Sequence, residues 1–219
     1  MPPILYASLL SLGLAVGSFV NVLILRTMEG RGCGGRSACM HCGRTLAWYE
    51  LVPLLSYLAL RGKCRTCGAR LSGQYPLVEA LTAAAFLGVG THLCGAGVCD
   101  FGAFATSGPR SMLAVLALFA AHFAAWAGLI AICVYDLRTT YIPDRFSYAV
   151  AGCALAAQAL AYYAAPGAFT APALYTLLAG PLLFAPFYLL WKVSGGRWMG
   201  LGDAMLAWGM GWLHRGTLR

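Results

Sequence analysis

Long apolar runs separated by short polar or glycine-rich stretches dominate this 219-residue chain. The first apolar run, residues 3–25, has no basic segment ahead of it and reads as a permanent span over 5–25, not a cleaved signal. Gly13, Gly17 and Ser18 give that span a small-residue face for close helix packing. Asn21 within it is either an interhelical hydrogen-bonding residue or a residue near a site. A second span is expected over 75–89, extending as far as 98, and it is interrupted by Glu79 and His92 and thinned by glycines. Residues 92–110 then form a loop containing Cys94 and Cys99. The third span, 111–135, contains no Asp, Glu, Lys or Arg. A fourth is expected over 146–164, a turn over 166–172, a fifth span over 173–191, a glycine-rich loop over 192–203, and the start of a sixth span over 204–213. Ten residues do not cross a bilayer, so the last helix is expected to be incomplete or interfacial.

The segment 26–76 breaks this pattern by being polar, basic and rich in glycine. Its one apolar stretch, 51–60, is too short to span and carries Pro53, so it predicts a short interfacial or packed helix. Three segments follow: a first span at 1–25, an extramembrane lobe at 26–76, and a membrane core at 77–219. The fold class is all-α, a polytopic transmembrane helix bundle of about six spans with one small lobe.

Composition agrees, with 60% hydrophobic and 10% charged residues against about 25% charged in soluble domains. The net charge of +8 arises from where the bases lie. Eight of the fifteen Lys and Arg fall between Arg26 and Arg70, and most of the others flank apolar runs. This is a topology signal, and with no aromatic-interleaved basic surface it argues against nucleic-acid binding. With the first span running from outside to inside, twelve of the fifteen bases face the cytoplasm, leaving Arg110, Arg215 and Arg219 outside. The same orientation puts Asp136, Asp203 and the cysteine-rich lobe together on the cytoplasmic side.

The chain has seven acidic residues, so each one adjoining a span needs a reason. Asp136 closes the third apolar run, and Asp203 follows Gly200-Leu201-Gly202. Two aspartates held together in a low-dielectric site share a proton, and such a pair can hydrolyse a peptide bond with no covalent intermediate. The alternative is that each caps a helix. Asp144, after Pro143 and before the fourth span, occupies an expected N-cap position. Glu79 is either an interfacial snorkelling residue or a functional intramembrane carboxylate.

Cys39-Met40-His41-Cys42-Gly43 and Cys64-Arg65-Thr66-Cys67-Gly68 are paired CxxC knuckles, each followed by glycine. Four such thiolates suit a closed, tetrahedral, structural zinc site, with redox chemistry and adventitious cysteines as alternatives. Cys33 and His41 are not needed as ligands. Cys94 and Cys99 are open to a disulfide or to free thiols, while Cys133 and Cys153 are expected to pack within spans.

Taken in order, these motifs resemble the prepilin leader peptidases, membrane aspartic proteases of the GxGD type. Gly17-Ser18-Phe19-Val20-Asn21-Val22 is similar to the first-span signature, and the CxxC pairs to the zinc-binding segment. Trp48 through Tyr57, Arg61 through Arg65, and Tyr75 through Glu79 are similar to the linking motifs. Asp136 with Ile142-Pro143-Asp144, and Gly200 through Asp203, resemble the two catalytic motifs. The resemblance implies that Asp136 and Asp203 are the catalytic pair. It further implies cleavage of the basic leaders of type IV prepilins or pseudopilins at the cytoplasmic face of a bacterial inner membrane. Members with a cysteine segment often also methylate the new N-terminus with S-adenosylmethionine; no glycine-rich loop for that cofactor is visible. The chain departs from the pattern at Met205, where a lysine is usual, and it is expected to be shortened at the C-terminus. Two rivals are therefore an inactive homologue serving as an assembly scaffold and a cation transporter, though a transporter would place its carboxylates nearer mid-bilayer.

Overall fold

The computed structural model describes residues 2–32, 34–96, 98–99, 109–164 and 173–215. Cys33, the turn expected at 166–172 and much of the 92–110 loop lie outside the described residues. The order of elements is α1 (Pro3–Met28), a 3-10 turn (Trp48–Leu51), α2 (Leu55–Ala59), α3 (Gln74–Gly95), α4 (Pro109–Thr139), α5 (Asp144–Ala164), α6 (Ala173–Ser194) and α7 (Leu201–Arg215). Two isolated antiparallel bridges, Ala38 with Thr45 and Lys63 with Arg70, are the β-type pairings among the described residues.

Among the described residues, four stretches are long and apolar enough to cross a membrane: Pro3–Met28, Gln74–Gly95, Met112–Thr139 and Leu177–Ser194. About six spans were expected. Of the other two, α7 has 15 residues, and α5 has 21 but carries Asp144, Arg145 and Gln158 along its length. The chain divides into two compact units, Met1–Gly88 and Val89–Arg219.

In the first unit α1 and α3 cross with backbones almost touching. A β-carbon on Gly13 would fall 2.5 Å from Ala83 Cα, and one on Gly17 would fall 2.7 Å from Glu79 Cα. This is the small-residue contact that α1 advertises in its sequence. Beside it, buried Asn21 donates to the Tyr75 carbonyl at 3.1 Å and accepts from Gln74 Nε2 at 3.2 Å. These bonds satisfy a polar side chain with no water available to it, so Asn21 is a packing hydrogen-bonder of the crossing. The polar segment between α1 and α3 forms the lobe.

In the second unit α4 packs on α5, α5 on α7, and α6 on α7. Ala125, Ala154 and Leu213 form a buried cluster, with Leu129, Cys153 and Trp212 against it. Cys153 is thus a packing residue as expected, whereas Cys133 is exposed on the flank of α4. Gln158 Nε2 donates to the Trp212 carbonyl at 2.5 Å, and Trp212 Nε1 to the Leu177 carbonyl at 2.9 Å, tying α5, α6 and α7 together. Cys94 and Cys99 form a disulfide with their Cα atoms 4.6 Å apart, closing a short loop after α3.

Candidate active site and metal centre

The two knuckles of the lobe repeat one another 25 residues apart. The Cys39 N–H donates to the Arg44 carbonyl at 2.9 Å, and the Gly43 N–H donates to the Cys39 carbonyl at 2.9 Å. Cys64 with Ala69 (2.8 Å) and Gly68 with Cys64 (2.9 Å) reproduce both bonds. The turns need a left-handed residue at their fifth position, and Gly43 and Gly68 supply φ values of 69° and 68°.

The sulfurs of Cys39, Cys42, Cys64 and Cys67 consequently lie within 4.8 Å of one another, with 3.9 Å between Cys39 Sγ and Cys67 Sγ. Tetrahedral zinc with Zn–S bonds near 2.3 Å would set its sulfurs about 3.8 Å apart, so the cluster could hold such an ion. The local charge pattern fits that chemistry. Backbone N–H groups of Cys67 and Thr66 bring the Cys64 thiol down to about 6, and those of Cys42 and His41 lower Cys39. The Ala69 N–H also favours a Cys67 thiolate, but burial and the surrounding sulfurs of Cys64, Cys42 and Cys39 outweigh it and push that thiol up to about 11. Four crowded sulfurs cannot all ionise unaided, and a divalent cation removes that conflict. His41 is exposed at the turn and stands outside the four-sulfur group.

An ion pair braces the first knuckle. Arg44 reaches Glu50 at 2.7 Å, and the second Glu50 oxygen accepts the Ala47 N–H at 2.9 Å. The Arg44 guanidinium and then the Ala47 N–H hold the Glu50 carboxyl below its ordinary range.

The aspartates lie at element ends in the second unit. α4 runs to Thr139, four residues past the expected end of its apolar run, so half-buried Asp136 lies in its last turn. The helix stops because Thr140 turns left-handed, with φ 53°, while its N–H donates to the Asp136 carbonyl at 2.7 Å. That αL stop normally uses glycine, and a β-branched residue there is strained. The chain then passes through Tyr141, Ile142 and Pro143 into α5.

Asp144 is the first residue of α5 and Pro143 precedes it, so Asp144 sits one position beyond the expected N-cap. It is exposed, and its side chain makes no capping hydrogen bond among the described residues. Its remaining local effect is a negative charge at a helix N-terminus.

Asp203 is also one element further on than the glycine-rich-loop reading placed it. α7 begins at Leu201, and Asp203 Oδ2 accepts the Gly200 N–H at 3.1 Å from the third helical position. One half of the capping alternative therefore holds for Asp203. The same helix start is pressed onto the α4–α5 turn: a β-carbon on Gly202 would stand 3.0 Å from Ile142 Cβ and 3.5 Å from its carbonyl oxygen. The residue before Asp203 thus touches the turn that carries Asp136 at one end and Asp144 at the other.

Two polar residues take roles that their sequence context hid. Glu79 does not snorkel: it is buried, and its Oε2 accepts the Leu54 N–H at 2.7 Å. His122, inside the apolar run of α4, is buried with Nδ1 3.0 Å from the Leu118 carbonyl.

The fold and these sites define a class, the multi-span helical membrane protein with a four-cysteine lobe and carboxylates at helix ends. Residues 11–93 match the bacterial peptidase A24 N-terminal domain, and residues 123–216 match the type IV leader peptidase family. A prepilin leader peptidase/N-methyltransferase of Myxococcus xanthus is 52% identical over 85 residues, covering 38% of this chain and 25% of that protein. A protein of the same name from Pseudomonas aeruginosa is 32% identical over 231 residues, 92% of this chain and 72% of its own. A type 4 prepilin-like proteins leader peptide-processing enzyme of Escherichia coli is 34% identical, covering 89% and 71%. No solved structure matches. The chain belongs to the type IV leader peptidase family.

Proposed function

We propose that the protein is a membrane-embedded aspartic endopeptidase that removes the leader of type IV prepilin or pseudopilin precursors, with Asp136 and Asp203 as its catalytic pair. The observation that carries this reading is the contact of Gly202 with Ile142, which sets the start of α7 against the turn leaving Asp136. In the reaction one carboxylate is charged and takes a proton from water, while the other is protonated and donates a hydrogen bond to the scissile carbonyl. Water oxygen bonds to the carbonyl carbon. The tetrahedral intermediate then collapses as the peptide nitrogen receives a proton and leaves as an amine. Both carboxylates return to their starting states, and no acyl-enzyme forms.

The active site faces the cytoplasm of a bacterial inner membrane in this reading, supported by the twelve basic residues on that side. Zinc held by Cys39, Cys42, Cys64 and Cys67 fixes the lobe, since four protein ligands leave no open position for chemistry. The word N-methyltransferase in the relatives' printed names supports a second reaction; in this reading it methylates the new N-terminus, with S-adenosylmethionine as methyl donor.

The test is cleavage of a leader-bearing precursor by the reconstituted chain beside Asp136→Ala, Asp203→Ala and Asp144→Asn. Cleavage by the native chain and Asp144→Asn, with none by the other two, is the expected pattern. Loss with Asp144→Asn and retention with Asp136→Ala would transfer the role to Asp144. A folded native chain that cleaves nothing would instead favour the scaffold reading.

A further inference from the structure

The lobe exposes large apolar side chains that its four-cysteine cluster does not explain. Trp48 is 79% exposed, Leu55 67% and Leu58 68%, with Tyr49 and Leu51 also exposed beside them. In a water-facing domain such a group marks a binding surface. Its depth along the spans can be read from two contacts. Gly17 of α1 lies against Glu79 of α3, and Glu79 holds the Leu54 N–H at 2.7 Å. Glu79 is five residues into α3, and Gly17 is nine residues before Arg26. At the helical rise, Leu54 is drawn about 7 Å past the start of α3 and roughly 13 Å along α1 from Arg26. Leu54 adopts φ 58° in this position, a conformation an ordinary residue takes only when its surroundings hold it there. The flanking segments therefore lie level with the ends of the apolar spans, where a bilayer's headgroups begin.

Charge selects what covers this surface. Residues 26–73 carry eight Lys and Arg against two Glu, and both acids are already paired, Glu29 with Arg31 and Glu50 with Arg44. Arg61, Lys63 and Arg65 are exposed close by. Arg65 also lies over the Tyr49 ring at 5.6 Å and donates to its hydroxyl at 3.1 Å, so positive charge and aromatic surface form one patch.

We infer that Trp48, Leu55 and Leu58, with the bases around Arg65, form a docking surface for the anionic lipid interface of the bilayer that α1 and α3 cross. Trp and Tyr favour the headgroup level, and each nearby base adds attraction to acidic lipid. The lobe then rests on the membrane at three places, its two tethers and this patch.

The experiment uses the full chain in nanodiscs of phosphatidylcholine, with or without phosphatidylglycerol. The fluorescence of Trp48 is isolated as the difference between the native chain and Trp48→Phe. The expected result is a Trp48 signal shielded from acrylamide and quenched by lipids brominated high on the acyl chain, several-fold more in anionic discs. Raising the salt concentration, or the triple change Arg61→Ser, Lys63→Ser and Arg65→Ser, should erase the difference between discs. The salt titration keeps the test decisive if the triple variant does not fold. Trp48 open to acrylamide in both discs overturns the inference. So does shielding that arises only when a leader-bearing peptide is added, which would make the patch a peptide-binding surface.

Discussion

Gly202 and Ile142 approach so closely that a β-carbon on the glycine would stand 3.0 Å from the isoleucine's own β-carbon. The contact joins the first turn of α7 to the link between α4 and α5, so the placement of Asp203 relative to Asp136 depends on the glycine's missing side chain. Gly200 is different. A β-carbon there would meet only Asp203 Oδ2 at 3.6 Å and the Gly202 nitrogen at 3.9 Å, both ordinary contacts.

If Asp203 is one of the catalytic pair as proposed, Gly202→Ala should reduce leader cleavage by about tenfold or more, because a few tenths of an ångström of displacement falls on its carboxylate. Its cost in stability should be about 1 kcal/mol. Gly200→Ala should keep most of the activity. Initial rates on one precursor, with melting of both variants in detergent, check the pair; equal losses would mean that the contact does not position Asp203.

Thr140 holds the left-handed stop of α4 at φ 53°. Thr140→Gly should stabilise the protein by about 1 kcal/mol, since the steric cost to a β-branched residue disappears there. Thr140→Val keeps the branching and loses the hydroxyl that donates to the Thr139 carbonyl at 2.7 Å, so it should not gain stability. Thermal unfolding of the two variants in one detergent tests the sign.

Much of this architecture can be read from the chain, and the exceptions share a physical cause. The apolar runs foretold α1, α3, α4 and α6, because a helix surrounded by lipid must be apolar along its whole length. The paired CxxC-Gly strings foretold the sulfur cluster, since each knuckle is closed by bonds within six residues. Glu79 was harder to read: its partner is a backbone N–H 25 residues away, which leaves no trace in local spacing. Gly200 and Gly202 give the approach to Asp203 the look of a loop, yet the carboxylate itself caps the helix that begins at Leu201. The exposure of Cys133 depends on which flank of α4 faces α5, and that is a property of the packed bundle.

If the four cysteines hold zinc as proposed, the lobe should release it on acidification in two stages. Cys64 has its thiol brought down from 9.0 to about 6, so the stability it contributes is present above pH 9 and lost as pH falls through 6. Protons then compete with the metal for that sulfur. Glu50 is also depressed, so its bond with Arg44 persists to lower pH and is lost only below the ordinary carboxyl range. In a zinc-loaded chain a chromogenic chelator should report release as the pH falls, below the pH at which the metal-free Cys64 thiol takes up its proton, because the ion competes for that sulfur. Arg44→Ala should move release to higher pH, and Cys64→Ser should abolish tight retention at any pH. Release that is flat down to pH 4 in all three would contradict this account.

The Glu79–Leu54 bond separates hydrogen bonding from charge as the reason for a buried acid. Glu79→Gln keeps an acceptor for the Leu54 N–H and should leave the fold nearly unchanged. Glu79→Ala leaves that part-buried N–H without its acceptor beside the α1–α3 crossing, which costs about 1 kcal/mol. Because the bond fixes the depth of residues 48–60, Glu79→Ala should also raise proteolysis between Trp48 and Leu60 before the spans themselves unfold. Limited digestion of the reconstituted chain, compared with melting, distinguishes this local release from general destabilisation. If Glu79→Gln proves as damaging as Glu79→Ala in both measurements, the negative charge rather than the acceptor oxygen is what this position requires.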